Sequence, residues 1–290
     1  MYNRLVLNPA YVARKGPAQL TTLFRGQWVG FDGSPRTFTF SGQTLPFSDT
    51  RHGLGGFLLY DAAAQYSQMA IGCDYAFRID LPKFAASSNS PFANPNLMMG
   101  LQVALLQYQF DGTKTYLYQE NDPSIPTSKE ATFKPDVSSG IFFTTKQIYA
   151  GISFIHLIES KINLSSFNKS KIARHYFFMA GYDLYLDPRN EVIMSPSIAI
   201  RGVRKAPVQF DLNLNILYLE RYWLGFLYRN RDALGLLAGF YIIPHQLRFG
   251  YAYDIVVSRL HRYQSGTHEI FLSYTLTPER TPTRLLPRFF

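Results

Sequence analysis

The sequence predicts an all-β chain, a transmembrane outer-membrane β-barrel of fourteen antiparallel strands, and three observations carry that expectation. The first is the stretch 208–218, where Val208, Phe210, Leu212, Leu214 and Ile216 alternate with Gln209, Asp211, Asn213 and Asn215. A period of two held this long makes a strand with one apolar and one polar face, of the length that crosses a bilayer at a tilt. The second is composition: 16% of the 290 residues are aromatic, including 20 Tyr and 24 Phe, while only 17% are charged. Soluble domains carry about a quarter charged residues. The third is that no run of 18 apolar residues occurs, which excludes a helical span.

Taken in order, residues 1–17 show no period and end in the breakers Gly16 and Pro17. Leu5, Leu7 and Tyr11 nevertheless need burial, so this segment is expected inside the lumen or at its periplasmic mouth. The barrel is expected over 18–276, with 277–290 as a periplasmic tail. Its first strand sets Leu20, Thr22, Phe24 and Trp28 against Gln19, Thr21, Arg25 and Gln27, and its second carries Phe38 and Phe40. A third covers 52–60. In the fourth, Met69, Ile71, Cys73, Tyr75, Phe77 and Ile79 alternate with smaller or polar residues. Further strands are read at 97–108, 136–144, 147–157, 174–186, 191–201, 208–218, 222–229, 233–242, 246–257 and 268–276.

Fourteen is even, as a barrel with both termini on one face requires. The links at 144–147, 187–190, 219–221 and 244–245 are short, as periplasmic turns should be. The links at 159–173 and 258–267 are longer, and 111–135, with Pro123 and Pro126, reads as the longest loop. The Ser-, Asn- and Pro-rich connection at 82–96 breaks this alternation. Pro196 lies inside a strand and predicts a bulge or break.

Charges of both signs fall on the inward phase: Arg25, Asp74, Arg78, Asp80, Asp211, Arg248, Asp254 and Glu269. Closure brings the first strand beside the last two, so Arg25, Arg248 and Glu269 are expected to form cross-strand ion pairs. A lumen of mixed sign selects poorly for any one solute and reads better as a self-paired wall than as a substrate path. Trp28, Tyr218, Trp223, Tyr253 and Tyr274, near strand ends, read as an interfacial aromatic girdle rather than a carbohydrate platform.

The outer loops hold Lys161, Lys169, Lys171, Arg174, Arg204, Lys205, Arg259 and Arg262. Such a basic mouth suits the phosphates of outer-membrane lipid and lipopolysaccharide, or an acidic partner. Tyr116, Tyr118, Ile125 and Phe133 place aromatic and aliphatic anchors in the long loop, and with Lys161, Lys169 and Lys171 they form the candidate partner site.

Other function classes find no support. The sequence has no GxSxG, HExxH or CxxC motif, so no enzyme, cofactor or metal site is expected. A single cysteine, Cys73, excludes an intrachain disulfide and reads as a small hydrophobe on an apolar face. Gly53, Gly55 and Gly56 superficially suggest a phosphate loop, but no helix follows them. The net charge of +9 is scattered through turns and loops, so nucleic acid is not expected as a partner. Met1 is followed by Tyr2, Asn3 and Arg4 with no apolar leader region, so a secreted form is expected to begin upstream of this sequence.

From NPAY at Asn8, Pro9, Ala10 and Tyr11 onward, the chain resembles the PorP/SprF proteins of the type IX secretion and gliding motility systems of Bacteroidetes. The likeness runs through RGQWVGFDGSPRTFTFSGQTLP (25–46), GLGGFLLYD (53–61), PDVSSGIFF (135–143), YAGISFIHLIE (149–159), HYFFMAGYDLYL (175–186), PVQFDLNLNILY (207–218), LRFGYAYD (247–254), SGTHEIFLSY (265–274) and the closing PRFF. The resemblance implies a cell outer-membrane barrel that docks or anchors a secreted surface adhesin or its C-terminal sorting domain. A sister version in the family links the outer membrane to the periplasmic motor ring. The alternative class is a passive channel or small-molecule transporter. Members carry a signal peptide shortly before the NPAY motif and a short turn where this chain has 82–96, so the chain departs from the family pattern in both places.

Overall fold

The computed structural model describes residues 3–14, 18–30, 32–46, 51–81, 90, 92–114, 128–163, 169–189, 191–257 and 263–276. Tyr116, Tyr118, Ile125, Arg259, Arg262 and the tail 277–290 lie outside the described residues.

One antiparallel sheet closes on itself. Its strands are β1 (Gln19–Gly26), β2 (Arg36–Thr44), β3 (His52–Ala63), β4 (Tyr66–Asp80), β5 (Asn96–Asp111), β6 (Lys129–Thr144) and β7 (Ile148–Ile155). Then follow β8 (His175–Tyr182, continued by Leu184–Tyr185), β9 (Val192–Val203), β10 (Gln209–Tyr218) and β11 (Tyr222–Arg229). β12 (Ala233–Ile243), β13 (Leu247–Val256) and β14 (Thr267–Thr275) complete the set. Each strand pairs with its sequence neighbours, and β1 pairs with β14 from Gln19↔Thr275 to Gly26↔His268. Closure removes the sheet edges that lipid cannot hydrate.

The period of two sets which side chains meet lipid. On β5, Met99, Leu101, Val103 and Leu105 are each at least half exposed, while Met98, Gln102, Ala104 and Leu106 between them are buried. On β10, Leu212 points out and Asp211, Asn213 and Asn215 point in. Cys73 is exposed on the same outward phase of β4 as Ile71 and Tyr75.

The ladder between β8 and β9 breaks where the sequence places Pro196. Gly181↔Ser197 and Leu184↔Met194 are paired, and the two steps between them are not. Proline has no N–H to give the ladder, and the buried Asp183 carboxylate accepts a hydrogen bond from Ser195 Oγ at 2.7 Å at the break. The β10–β11 connection is Leu219, Glu220 and Arg221, a tight turn closed by the Arg221 N–H on the Tyr218 carbonyl, with Leu219 and Glu220 both at φ 52°. That is the twist such a hairpin needs, reached by residues that disfavour it.

One expected element is corrected. The sequence marks 111–135 as loop, but β5 runs to Asp111 and β6 starts at Lys129, so both strands are 16 residues long. Pro135 sits within β6 opposite Leu105. The neighbouring carbonyls alternate in direction, Ser128 O toward β5 and Val137 O toward β7. By that alternation the nitrogen of Pro135 faces away from β5, so the proline costs the ladder nothing.

Candidate functional site: the lumen and the outer rim

Residues 4–13 lie inside the barrel as a helical turn, Arg4–Leu7, and a 3-10 turn, Pro9–Ala13. They pack on the inner face of β3 to β7, at positions where the strands carry glycine. A Cβ at Gly53 would overlap the backbone of Val12 and Ala13, one at Gly100 the backbone of Pro9 and Ala10, and one at Gly140 the carboxamide of Asn8. These glycines therefore permit a close backbone approach that no other residue would allow.

The Asn8–Tyr11 motif is the seat of this segment. Asn8 is fully buried, and its Nδ2 donates to the carbonyls of Ile141 at 3.1 Å and Ile152 at 3.3 Å. Its Oδ1 accepts from the Ala10 N–H at 3.0 Å and so caps the turn that Pro9 begins. Tyr11 meets the Phe142 ring edge-on at 5.6 Å. Arg4 lies 4.6 Å above the Tyr149 ring, and Arg78 donates to the carbonyl of Ala13 at 3.1 Å. Wall serines also meet the segment's polar groups, Ser153 Oγ donating to the Leu7 carbonyl and Ser41 Oγ accepting from Asn3 Nδ2 at 3.0 Å.

Toward the rim opposite the termini, the inward charges form an alternating chain. Arg201 Nη2 donates to Asp211 at 2.6 Å, and Asp211 lies 3.4 Å from Arg229. Arg229 reaches Asp254 at 3.3 Å, Asp254 meets Arg25 at 3.2 Å, and Arg25 meets Glu269 at 3.0 Å. Arg229 also approaches Asp232 at 3.4 Å. The chain spans β9, β10, β11, β13, β1 and β14. Of the predicted network it joins Arg25, Asp211, Asp254 and Glu269. Arg248 has a different neighbourhood: its register partner is Ser273, four residues from Glu269, and its guanidinium lies 5.3 Å from the Phe271 ring centroid.

Asp74 and Arg78 sit on the other wall. Asp74 is buried and accepts from Gln102 Nε2 at 2.8 Å, while Arg78 contacts Asp80 at 3.3 Å. Nearby, the buried Asp136 carboxylate meets His156 Nδ1 at 3.0 Å. His156 lies just past the end of β7 with φ 60°, which turns its ring toward Asp136.

Sequence reading missed Arg201 and Arg229. Arg229 ends a strand, YWLGFLYR, whose two faces are both apolar and give no phase from which to place it. The same strand explains a second correction. Trp223, expected in the outer girdle, is 1% exposed and points inward, packing with Leu227, Leu237 and Phe271. These bulky side chains fill the inner wall away from β3 to β7, where residues 4–13 are seated. Tyr218 and Tyr274 are exposed near strand ends.

On the rim opposite the termini, Lys161–Asn163 and Lys169–Lys171 pair as a small separate hairpin. Lys171 Nζ donates to Glu159, which holds that partly exposed carboxyl below its usual range. Phe133 is 57% exposed on the outward face of β6, not in a loop. Among the described residues no cluster of three or more His, Cys, Asp or Glu is arranged to hold a metal ion.

The family model for the type IX secretion system membrane protein PorP/SprF matches residues 1–274. The chain belongs to the PorP/SprF family. Its barrel is accordingly that of an outer-membrane component of type IX secretion, and both family and fold are those of a secretion-system membrane barrel rather than of an enzyme. No curated protein matches this PorP/SprF member. Among solved structures it is similar to the CymD monoaromatic hydrocarbon channel, with TM-score 0.52, 10% identity, and coverage of 96% of this chain and 94% of the other. It is also similar to a Pseudomonas aeruginosa FadL homologue, with TM-score 0.50, 10% identity, and 94% of each chain covered. At that identity the likeness is one of fold.

Proposed function

We propose that this PorP/SprF protein is a docking barrel: it holds a secreted surface adhesin, or the adhesin's sorting domain, at the outer face, and does not conduct solutes. The observation that carries this reading is the seated N-terminal segment. Residues 4–13 take up lumen space on a glycine track, and the Arg201-to-Glu269 chain ties the opposite wall together with charges of both signs. A wall so self-paired offers little free charge to a permeating ion, and the segment acts as a plug.

β1 begins and β14 ends at one rim, which we assign to the periplasm; a motor-ring connection would form there. The opposite rim, with Lys161, Lys171, Arg174 and the outer loops, then faces the medium and takes the partner. Replacing residues 115–127 by a short Gly-Ser linker tests the assignment. The expected result is a heat-resistant, membrane-inserted barrel that no longer retains a surface protein that co-purifies with the wild type from native membranes. Retention equal to wild type would move docking off this loop. The competing reading, a passive channel or small-molecule transporter, requires measurable conductance from the intact barrel in a planar bilayer, where the docking reading expects almost none.

A further inference from the structure

The wall of this barrel is uneven in height, and the step leaves a β-strand edge standing in water. β6 pairs with β5 along all of Lys129–Thr144, yet β7 pairs with it only over Ser139–Thr144, with one more bond from Leu157 N–H to the Val137 carbonyl. Among the described residues, 129–136 of β6 therefore have a hydrogen-bonded strand on one side only. The direction of each group follows from the printed bonds. The Val137 carbonyl points toward β7 and the Ser128 carbonyl toward β5. In an antiparallel strand the N–H and C=O of one residue point the same way and alternate between residues. Lys129, Ala131 and Phe133 thus present both groups to the open side, and Pro135 presents a carbonyl alone. That is about 20 Å of strand edge, at roughly 3.3 Å per residue.

This edge stands above the lipid. The outward face of β5 is apolar through Leu105, which pairs with Pro135, and turns to Gln107 and Gln109 beside Phe133 and Ala131. The small hairpin Lys161–Asn163 with Lys169–Lys171 comes near β6 but belongs to a separate sheet, and among the described residues no strand pairs with the outer side of 129–135. Around the edge stand Lys129, Lys134, Lys161, Lys171 and Arg174. Glu159 is engaged by Lys171, Asp111 by Lys129 at 3.7 Å and Asp136 by His156 at 3.0 Å, so among the described residues Lys134, Lys161 and Arg174 outnumber Glu130 and the balance is positive.

We propose that the β6 edge from Lys129 to Pro135 is a strand-addition site that takes an extended, acidic segment of a protein partner. The inference deepens the docking reading and rests on it. Main-chain hydrogen bonds from the edge supply affinity for any extended chain, and the lysines around it select one with Asp or Glu. A second copy of the same edge would set these lysines against each other, so self-pairing is disfavoured. Pro135 sets the lower limit of the site, because it offers no donor where the wall enters lipid.

The edge geometry supplies its own test. Proline at Ala131 or Phe133 deletes a donor on the open side and spares the bonds to β5. Binding of a fluorescent eight-residue peptide of alternating Glu and Val is measured on nanodisc barrels, beside its Lys-Val counterpart. The Glu peptide is expected to bind at least tenfold tighter, to slow amide exchange in β6 residues 129–133, and to lose at least tenfold in affinity on the Ala131→Pro, Phe133→Pro double variant. Unchanged affinity on that variant, or equal binding of both peptides, overturns the proposal. Dimers of the barrel that vanish with the double variant also overturn it, in favour of self-pairing. On native membranes the two readings separate. If the double variant retains the surface partner and the 115–127 replacement loses it, the edge is wrong and docking stands; if both retain it, outer-rim docking fails as well.

Discussion

Single residues in this barrel act through what they leave room for or leave unpaired. Gly100 and Gly140 are conspicuous because any side chain there meets residues 8–10. Gly100→Val is expected to evict the N-terminal segment while the wall still closes, so limited trypsin digestion should cut after Arg4 and Arg14 in the variant and not in the wild type. Arg229 is the opposite case, a buried cation shared by Asp211, Asp254 and Asp232. Arg229→Met leaves Asp211 to Arg201 and Asp254 to Arg25 alone, and removing one partner of a buried pair costs up to about 3 kcal/mol. Urea unfolding of the refolded barrel should register a loss of that order, with Arg229→Lys recovering part of it. These residues were unequally legible in the sequence. Arg25, Asp211, Asp254 and Glu269 could be placed because each lies in a strand with a clear polar phase. Arg229 could not, because its strand is apolar on both faces. The glycines of β3, β5 and β6 read only as strand glycines, since nothing in a linear sequence says which other segment will lie against them.

At the level of the strand, alternation decided nearly everything the sequence revealed, and it failed where lipid stops. The outward row on β10 makes a direct test. Leu212 is 45% exposed and Asn213 is 6% exposed, so Leu212→Asp puts a charge into hydrocarbon, while Asn213→Asp adds one to a polar wall. The first should lose up to about 2 kcal/mol near the bilayer midplane and assemble poorly into vesicles. The second should assemble nearly as wild type, and equal losses would mean the phase is wrong. The tops of β5 and β6 were invisible to this reasoning: above Leu105 neither face is lipid-bound, the apolar rhythm fades, and Pro135 reads as a breaker. Turn chemistry offers another check. Leu219 and Glu220 both occupy positive φ, where a side chain costs about 1 kcal/mol. Changing the pair to Asn-Gly, which favours this turn, should raise the urea midpoint of the refolded barrel without altering its topology.

The whole molecule poses the question of whether a barrel of this width conducts. Its structural neighbours include a hydrocarbon channel, but at 10% identity they speak for the fold alone. Within this chain, residues 4–13 occupy the lumen along β3 to β7, Trp223, Leu227, Leu237 and Phe271 fill the facing wall, and the ionic chain runs nearer the opposite rim. The N-terminal segment is held on the wall by Asn8, by bonds from Ser153 and Arg78 and by a close fit on glycine, and no strand pairing runs through it, so it can be removed without disturbing any wall pairing. Deleting residues 3–14 should therefore leave a heat-modifiable barrel with native strand content by circular dichroism. Its single-channel conductance in a planar bilayer should rise from near the baseline to discrete, resolvable steps. Restoring the segment as a free peptide spanning 3–14 should suppress those steps in a dose-dependent way, and the same peptide with Asn8→Leu, which cannot reach the Ile141 and Ile152 carbonyls, should suppress them at least tenfold less well. An unchanged trace after deletion would mean that the aromatic cluster and the ionic chain close the lumen by themselves, and the segment would then serve the wall as packing rather than as a plug.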